Sequence, residues 1–450
     1  MVNKITSSQY VEQQRRDYAL YVIQNRALPA LSDGLKSAGR RVLWTAKDGQ
    51  KTKTASLAGA ALVYHPHGLP DGAINTLTGP FNNNIPYFKG YGSFGTLLEP
   101  NEYGASRYTS VTVSKFTQDV IFKDIEIIPM ISNYDDTTEE PLHFLPLVPT
   151  VLLNPIEGIA LGFATNILPR CIKDIISYQL THLRGKKIHN PLTPAFYPLD
   201  SKCHRVEHLD KGPAYYFVGS CKIVDKTTVN ISKLPYGKLH SKFVKTLDEL
   251  CETATIVDFI DRSRDTINID VKFKSADLAK LNEEKLIKMF GLEVRHFDNL
   301  NVLDFSGQSI ISETPQQLIK QFTDWRLGWY VNRYQRLKDL LAIDIQKYLD
   351  IKCAIENNVG GIARDIGNRA LLKVRLTEFG IVYIDYIADL PVYRFTADEY
   401  NKNEKRLKEA NELMDHYNQL LSDEDKRVKV YIDELQQILD NYNKGAYNGK

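Results

Sequence analysis

Near the C-terminus apolar residues recur at alternating steps of three and four: Leu407, Ala410, Met414, Tyr417, Leu421, then Val428, Tyr431, Leu435, Ile438 and Tyr442, with only Glu424 interrupting the seam. That spacing predicts one long helix with an apolar edge over 396–442. After Pro315, Leu318, Phe322, Trp325 and Trp329 step by four, three and four, which predicts a first long helix over 316–350. Between them, 351–395 is apolar-rich and contains glycine. Two long helices around such a stretch predict an antiparallel coiled-coil hairpin with a small helical globule at its tip, or else a plain helical bundle. Residues 443–450 read as a frayed tail.

Upstream the period shortens. Over 150–315, β-branched runs at 228–231 and 266–273 are punctuated by KGP, LPYGK and FSGQS, the pattern of an α+β domain. The first part predicts an opening helix at 10–24, a Leu28-Pro29 turn, and short helices through Trp44 and over 54–63, a spacing that suits a winged-helix unit. The stretch 79–95 (GPFNNNIPYFKGYGSFG) is too turn-rich for a helix and predicts loops and short strands. The expected organisation is therefore α+β and multidomain: an N-terminal arm 1–25, a winged-helix domain 26–149, an α/β domain 150–315, coiled-coil helices 316–350 and 396–442 around a globule 351–395, and the tail.

Composition changes this picture little. The 450 residues are 43% hydrophobic and 25% charged, as in ordinary globular chains, which excludes wholesale disorder. The most apolar window, 148–167, is broken by Pro149, Asn154, Pro155 and Glu157, so no membrane association is expected. Five widely spaced cysteines with no CxxC pair argue against a disulfide framework or zinc module, and a reducing cytoplasm fits. Net charge is +2, but up to Phe116 there are 13 Lys and Arg against 7 Asp and Glu. Arg26, Lys36, Arg40, Arg41, Lys47, Lys51 and Lys53 form either a polyanion-binding surface or a solvated basic face.

The usual catalytic signatures are missing: no GxxxxGK[ST], HExxH, GxSxG, or GxGxxG after a strand. The acidic groups Asp135, Asp136, Glu139, Glu140 and Asp423, Glu424, Asp425 lack a second carboxylate set at metal-binding spacing and read as solvated, so no metal site is expected in this chain. What stands out is NRALPALSDGLKSAGRRVL, then YHPHG, then GYGSFG, then GASRYTSV, all within the first 111 positions. In this order and spacing the blocks resemble the breakage-reunion (gyrase A-like) subunit of type IIA DNA topoisomerases. The likeness continues more thinly through NYDDTTEEP, LLNPIEGIALGFATNI and LPYG into the long helices.

The resemblance implies a function: transient double-strand cleavage through 5′-phosphotyrosyl links, strand passage and rejoining within an ATP-dependent topoisomerase. It implies that 150–315 is the family's tower domain and 351–395 its C-gate, through which the chain forms a homodimer. Tyr108 matches the nucleophile and Arg107 the arginine beside it. In a strict strand these neighbours would point oppositely, so a turn is required. Arg26, His65 and Lys36 match residues gathered around the same phosphate; a histidine is suited to moving a proton near neutral pH. His67, Arg40 and Arg41 are expected on flanking phosphates, and Ile159 matches an apolar wedge pushed between base pairs. From its own surroundings Ile159 would instead read as a core residue.

The family's TOPRIM site and its ATPase have no counterpart here. Mg2+ and ATP are therefore expected on partner, gyrase B-like subunits, with double-stranded DNA as substrate and the 10–24 helix as the arm that packs on the TOPRIM partner. With no β-pinwheel sequence, relaxation and decatenation are expected ahead of supercoiling. The rival reading is a non-catalytic architectural winged-helix DNA-binding protein; a metal-dependent nuclease would need a carboxylate site that the sequence does not offer.

Overall fold

A computed structural model of the chain describes residues 6–66, 68–187, 192–209 and 212–447. Packing divides it into two compact units, residues 1–326 with 432–450, and residues 327–431. Among the described residues no helix is long and apolar enough to cross a membrane. Helices and antiparallel sheets alternate through the larger unit, and the smaller is helical, so the α+β expectation holds.

The first unit opens with α1 (Ser7–Val22), started by a capping box in which Thr6 and Gln9 satisfy each other's backbone N–H. No α1 residue is buried. The chain continues in a π-helical turn, Ile23–Ala27, closed by Leu28 N donating to Ile23 O at 3.2 Å. Helices α2 (Ser37–Thr45), α3 (Thr54–Ala61) and α4 (Asp71–Thr78) bury Val42, Leu43, Leu57, Ala58 and Ile74 together with Leu31 and Leu35. The sequence pattern does not predict α4, because DGAINTLT is poor in strong helix formers; burial of Ile74 outweighs that weak propensity. Beside them β1 (Thr52–Lys53), β2 (Phe88–Tyr91) and β3 (Ser110–Val113) form an antiparallel sheet with β3 central. Two hairpins follow, β4 (Met130–Ser132) with β5 (Glu139–Pro141), and β6 (Ile156–Ile159) with β7 (Ala164–Ile167).

Two four-stranded antiparallel sheets occupy much of the region from 195 to 297. The β-branched runs expected at 228–231 and 266–273 are the strands Thr228–Lys233 and Ile269–Lys272, whose Val229, Ile231, Ile269 and Val271 pack on Phe243, Leu247, Leu286 and Phe290. The expected boundary at 149/150 is not a break in packing. Asn84 Nδ2 donates to the carbonyls of Leu153, Arg170 and Ala195, while Asn154 and Ile85 exchange two hydrogen bonds, stitching the earlier segment to the later one.

The hub of this unit is Asp33, a fully buried carboxylate. It accepts from Arg40 Nε at 2.7 Å and Nη2 at 3.0 Å, and from the backbone N–H of Leu35 at 3.1 Å and Phe144 at 3.0 Å. Its carbonyl accepts from Thr150 Oγ1 at 2.6 Å. Gly34 follows at φ +67°, where a Cβ would lie 2.5 Å from Val151 N, so only glycine fits the turn. Arg326 with Asp124 and Arg170 with Asp298 are further buried ion pairs.

In the second unit the long helix Pro315–Glu356 contributes its part from Leu327 and packs antiparallel against Ala397–Ser422. Asn403 donates to Tyr348 O at 2.7 Å, Lys352 pairs with Glu404 at 2.7 Å, and Tyr400 donates to Glu356 at 3.0 Å, while the Tyr334 and Tyr417 rings meet at a tilt of 40° further down. Between them Val359–Asp365, Arg369–Glu378 and Ile384–Ala388 form a small helical globule around Ile351, Ala354, Val359, Leu376, Ile381 and Ile387.

Two expectations are corrected. The helix over 396–442 is two helices, Ala397–Ser422 and Glu424–Asn443, separated at Asp423 by extended backbone (φ −122°, ψ 112°). The Asp423 carboxylate accepts from Lys426 N at 3.2 Å, so an acidic stretch read as a solvated helix face is a helix start. Nor is the tail wholly frayed: Tyr447 is buried against Phe116, ring centroids 5.5 Å apart, and donates to Asp119 at 3.2 Å.

Replacing Asp33 leaves Arg40 without its bidentate partner in a buried site. Asp33→Ala is expected to lower unfolding stability by about 3–5 kcal/mol, read as a drop in the denaturation midpoint; an unchanged midpoint would contradict the role of Asp33 as a hub.

Candidate functional site

The functional side chains fall into two constellations. The first surrounds Tyr108. Residues 105–109 form a turn in which Tyr108 N and Thr109 N both donate to Ala105 O, at 2.8 and 3.3 Å, immediately before β3. The turn that the Arg-Tyr pair requires is therefore present, and it brings the Arg107 guanidinium 4.7 Å from the centre of the Tyr108 ring. The backbone is clamped on the start of α3: Ala55 N donates to Ser106 O at 3.1 Å, Thr54 N to Thr109 O at 3.1 Å, and Thr109 Oγ1 to Thr54 Oγ1 at 2.7 Å. Gly92 of the GYGSFG loop and Gly104 of the GASRYTSV block close the other side, where a Cβ would come within 3.2 or 3.1 Å of Thr109 Cγ2. A fixed backbone thus carries a side chain that is 71% exposed.

Lys53 joins this group, its Nζ donating to Tyr108 O at 3.4 Å, and Lys51 stands 3.9 Å over the Tyr91 ring. In the sequence Lys53 is one basic residue among several, with nothing to single it out. The pairing of Lys53 with Ser110 in the β1–β3 ladder, which sets it beside the turn, is not visible there.

The second constellation is built on the RALP and YHPHG blocks. Tyr21, in the last turns of α1, shares a 2.7 Å hydrogen bond with His65 Nε2, and the Arg26 guanidinium lies 5.3 Å from the Tyr21 ring centre. The Tyr134 ring contacts the imidazole at a centroid distance of 5.6 Å. Among the described residues no group of three or more His, Cys, Asp or Glu could hold a metal ion. His67 lies outside the described residues.

Lys36 and Ile159 meet at the β6–β7 hairpin. Lys36 Nζ donates to Glu157 O at 2.6 Å, and burial pushes its ammonium below the ordinary lysine range, partly offset by the Glu157 charge. At Gly158 a Cβ would lie 2.0 Å from Ala27 O and 3.2 Å from Lys36 Nζ, so the hairpin rests directly on the residue after Arg26. Its turn, closed by Ala160 N donating to Phe163 O at 2.8 Å, presents Ile159 at 87% exposure with Leu161 and Phe163 also exposed. The core reading of Ile159 is thereby set aside. An apolar residue at a hairpin tip is costly to leave in water and suited to insertion.

Arg40 and Arg41, expected on flanking phosphates, are each paired with a carboxylate of the chain itself. Arg40 is held by Asp33, and Arg41 Nε and Nη2 grip the buried Glu140 at 2.5 and 2.8 Å, so each guanidinium is oriented by a protein carboxylate. Glu140, read as part of a solvated acidic turn, is the buried partner of Arg41.

Comparison with known proteins adds the lineage. A family model describing the A subunits of DNA gyrase and topoisomerase IV matches residues 26–436. The DNA topoisomerase medium subunit of Enterobacteria phage T4 is 30% identical over 421 residues, covering 88% of this chain and 92% of that protein. The A subunit of DNA gyrase from Brachyspira hyodysenteriae is 27% identical over 94% of this chain and 55% of its own length. The fold matches the crystal structure of the Plasmodium falciparum topoisomerase II DNA-binding, cleavage and re-ligation domain with a TM-score of 0.80, at 22% identity, over 96% of this chain and 65% of that one.

The hairpin seat yields a prediction. Gly158→Ala forces the hairpin away from Ala27 and loosens the Lys36 contact, and is expected to cost about 1–3 kcal/mol of stability and to weaken DNA binding; unchanged unfolding and binding curves would contradict the seat.

Proposed function

Since the chain belongs to the family of DNA gyrase and topoisomerase IV A subunits, and so is the DNA-cleaving and rejoining subunit of a type II topoisomerase, we propose a mechanism centred on Tyr108. Its phenolic oxygen attacks a backbone phosphorus. The new oxygen–phosphorus bond replaces the bond to the departing 3′ oxygen, which leaves as a hydroxyl once protonated, and the 5′ phosphate stays on the tyrosine. One phosphodiester is exchanged for another, so the 3′ hydroxyl reseals the strand by the reverse attack without ATP.

An un-ionised phenol is a weak nucleophile, and His65 is the group assigned to take its proton and return one to the leaving oxygen. Arg107 and Arg26 stabilise charge on the non-bridging oxygens, and Lys53 adds a positive charge beside the nucleophile. Lys36 steadies the wedge hairpin while Ile159 opens a base step, a bend exchanged for added contact. The observation that carries this reading is the clamped 105–109 turn, which holds an exposed tyrosine under the guanidinium of its neighbour.

Cutting both strands takes two copies of Tyr108, and a two-fold dimer supplies them, with the 351–395 globule as the proposed contact between copies. In this reading 26–149 acts as the winged-helix cleavage domain, 150–315 as the tower and the paired long helices as the coiled coil. The described residues offer no metal-ligand cluster. By the family resemblance, Mg2+ and ATP are assigned to TOPRIM/ATPase partner subunits, and no step above is routed through them. Relaxation and decatenation are proposed ahead of supercoiling, a reading supported by the 30% identity to the phage T4 medium subunit over 88% of this chain. The cytoplasm, that of a host cell if the source is a phage, is the proposed setting.

Tyr108→Phe, assembled with its partner subunits, should bind duplex DNA within about twofold of wild type and lose cleavage by roughly 10³-fold or more, measured by linearised plasmid after SDS. The architectural reading predicts two indistinguishable proteins, and cleavage by the variant would overturn the assignment.

A further inference from the structure

We propose that Tyr21 is a positioning residue for cleavage, holding His65 through its hydroxyl and Arg26 through its ring; this rests on the catalytic reading of His65 and Arg26 above. One aromatic side chain touches both. Its hydroxyl and His65 Nε2 are 2.7 Å apart, the two rings lie nearly parallel at 26° with centroids 6.2 Å apart, and the Arg26 guanidinium stands 5.3 Å from the Tyr21 ring centre. Tyr18, one turn back, stacks on Tyr21 from the other end, at 6.4 Å and 27°.

The local backbone explains how one residue reaches both groups. Tyr21 and Arg26 are five apart, a separation that puts side chains on different faces of a regular α-helix. The chain passes directly from α1 into the π-helical turn Ile23–Ala27, closed by Leu28 N on Ile23 O, which departs from α-helical spacing where Arg26 sits, and the arginine lies over the tyrosine. Asn25 Nδ2 donates to Tyr21 O at 3.3 Å and fixes the same turn. On its far side the imidazole meets the Tyr134 ring, so His65 is held between two tyrosines from different parts of the chain.

The two contacts do different work. The hydroxyl selects the orientation of the imidazole and engages Nε2, which an imidazole free to rotate would leave to water. The ring supports a cation that must otherwise give up part of its hydration to lie there. A proton-transfer group gains from a fixed orientation more than from mere proximity, because the reacting geometry tolerates little misplacement. Tyr21→Phe removes the first contact and keeps the second; Tyr21→Ala removes both.

The test is a double-mutant cycle on the DNA cleavage rate of the enzyme assembled from this chain and its partner subunits, using Tyr21→Phe, His65→Ala and the double variant, with Tyr21→Ala alongside. Tyr21→Phe should keep the wild-type unfolding midpoint and DNA affinity but cleave roughly 3- to 10-fold more slowly. It should have no further effect once His65 is alanine, because the two residues act as one unit. Tyr21→Ala should be slower than Tyr21→Phe. Equal losses from Tyr21→Phe in both backgrounds would show a merely structural tyrosine and overturn the proposal, as would wild-type cleavage by Tyr21→Phe when His65→Ala is impaired. Wild-type cleavage by His65→Ala would instead overturn the catalytic reading of His65, and this proposal with it.

Discussion

The buried carboxylate of Asp33 is the constraint on which the candidate site depends. Taking a charge out of water is expensive, and it is tolerated here because the carboxylate is met by a bidentate guanidinium and two backbone N–H groups. Those partners come from the turn itself, from α2 and from the segment at Phe144, so satisfying one charge fixes three parts of the chain at once. The same turn sets Gly34 against Val151 and delivers Lys36 to the base of the β6–β7 hairpin. The hairpin in turn sits on Ala27, next to Arg26. Placement of Ile159 at an exposed tip thus traces back through contacts of ordinary strength to one carboxylate.

The other constellation follows a different logic. Around Tyr108 the backbone is tightly held by Thr54, Ala55 and Thr109 while the reactive side chain stands in solvent. A clamp of this kind lets a nucleophile search only a small volume, and its local electrostatics come from cations, Arg107 at the ring and Lys53 at the carbonyl. Arg40 and Arg41, by contrast, are oriented by carboxylates of the chain itself. Two of the seven positive charges counted between Arg26 and Lys53 in the sequence hold buried carboxylates.

The Arg107-Tyr108 pair is reached in the sequence through the resemblance that its four blocks carry, whereas the turn that the pair requires and the turn-rich character of GYGSFG follow from local chemistry. The long helices are legible from their seam, with Ala410, Tyr431, Leu435 and Ile438 buried as the period demands. The break at Asp423 is not, since an acidic residue on a helix face and one starting a new helix look alike until the backbone is seen. Lys53, Tyr21 and the partners of Arg40 and Arg41 escape sequence reading for a common reason. Each acts through a contact made by tertiary packing or local irregularity: Lys53 by strand pairing with Ser110, Tyr21 by a π-helical turn, and Arg41 by meeting Glu140 far along the chain.

The cleavage mechanism requires that Tyr108 become covalently joined to DNA. The most direct measurement is mass spectrometry of the native chain, denatured rapidly with SDS during turnover and trimmed with nuclease, reading the peptide that contains Tyr108. A nucleotide adduct linked through the Tyr108 oxygen to a 5′ phosphate is the expected result. An adduct on another tyrosine, or none while DNA is being cleaved, would contradict the mechanism.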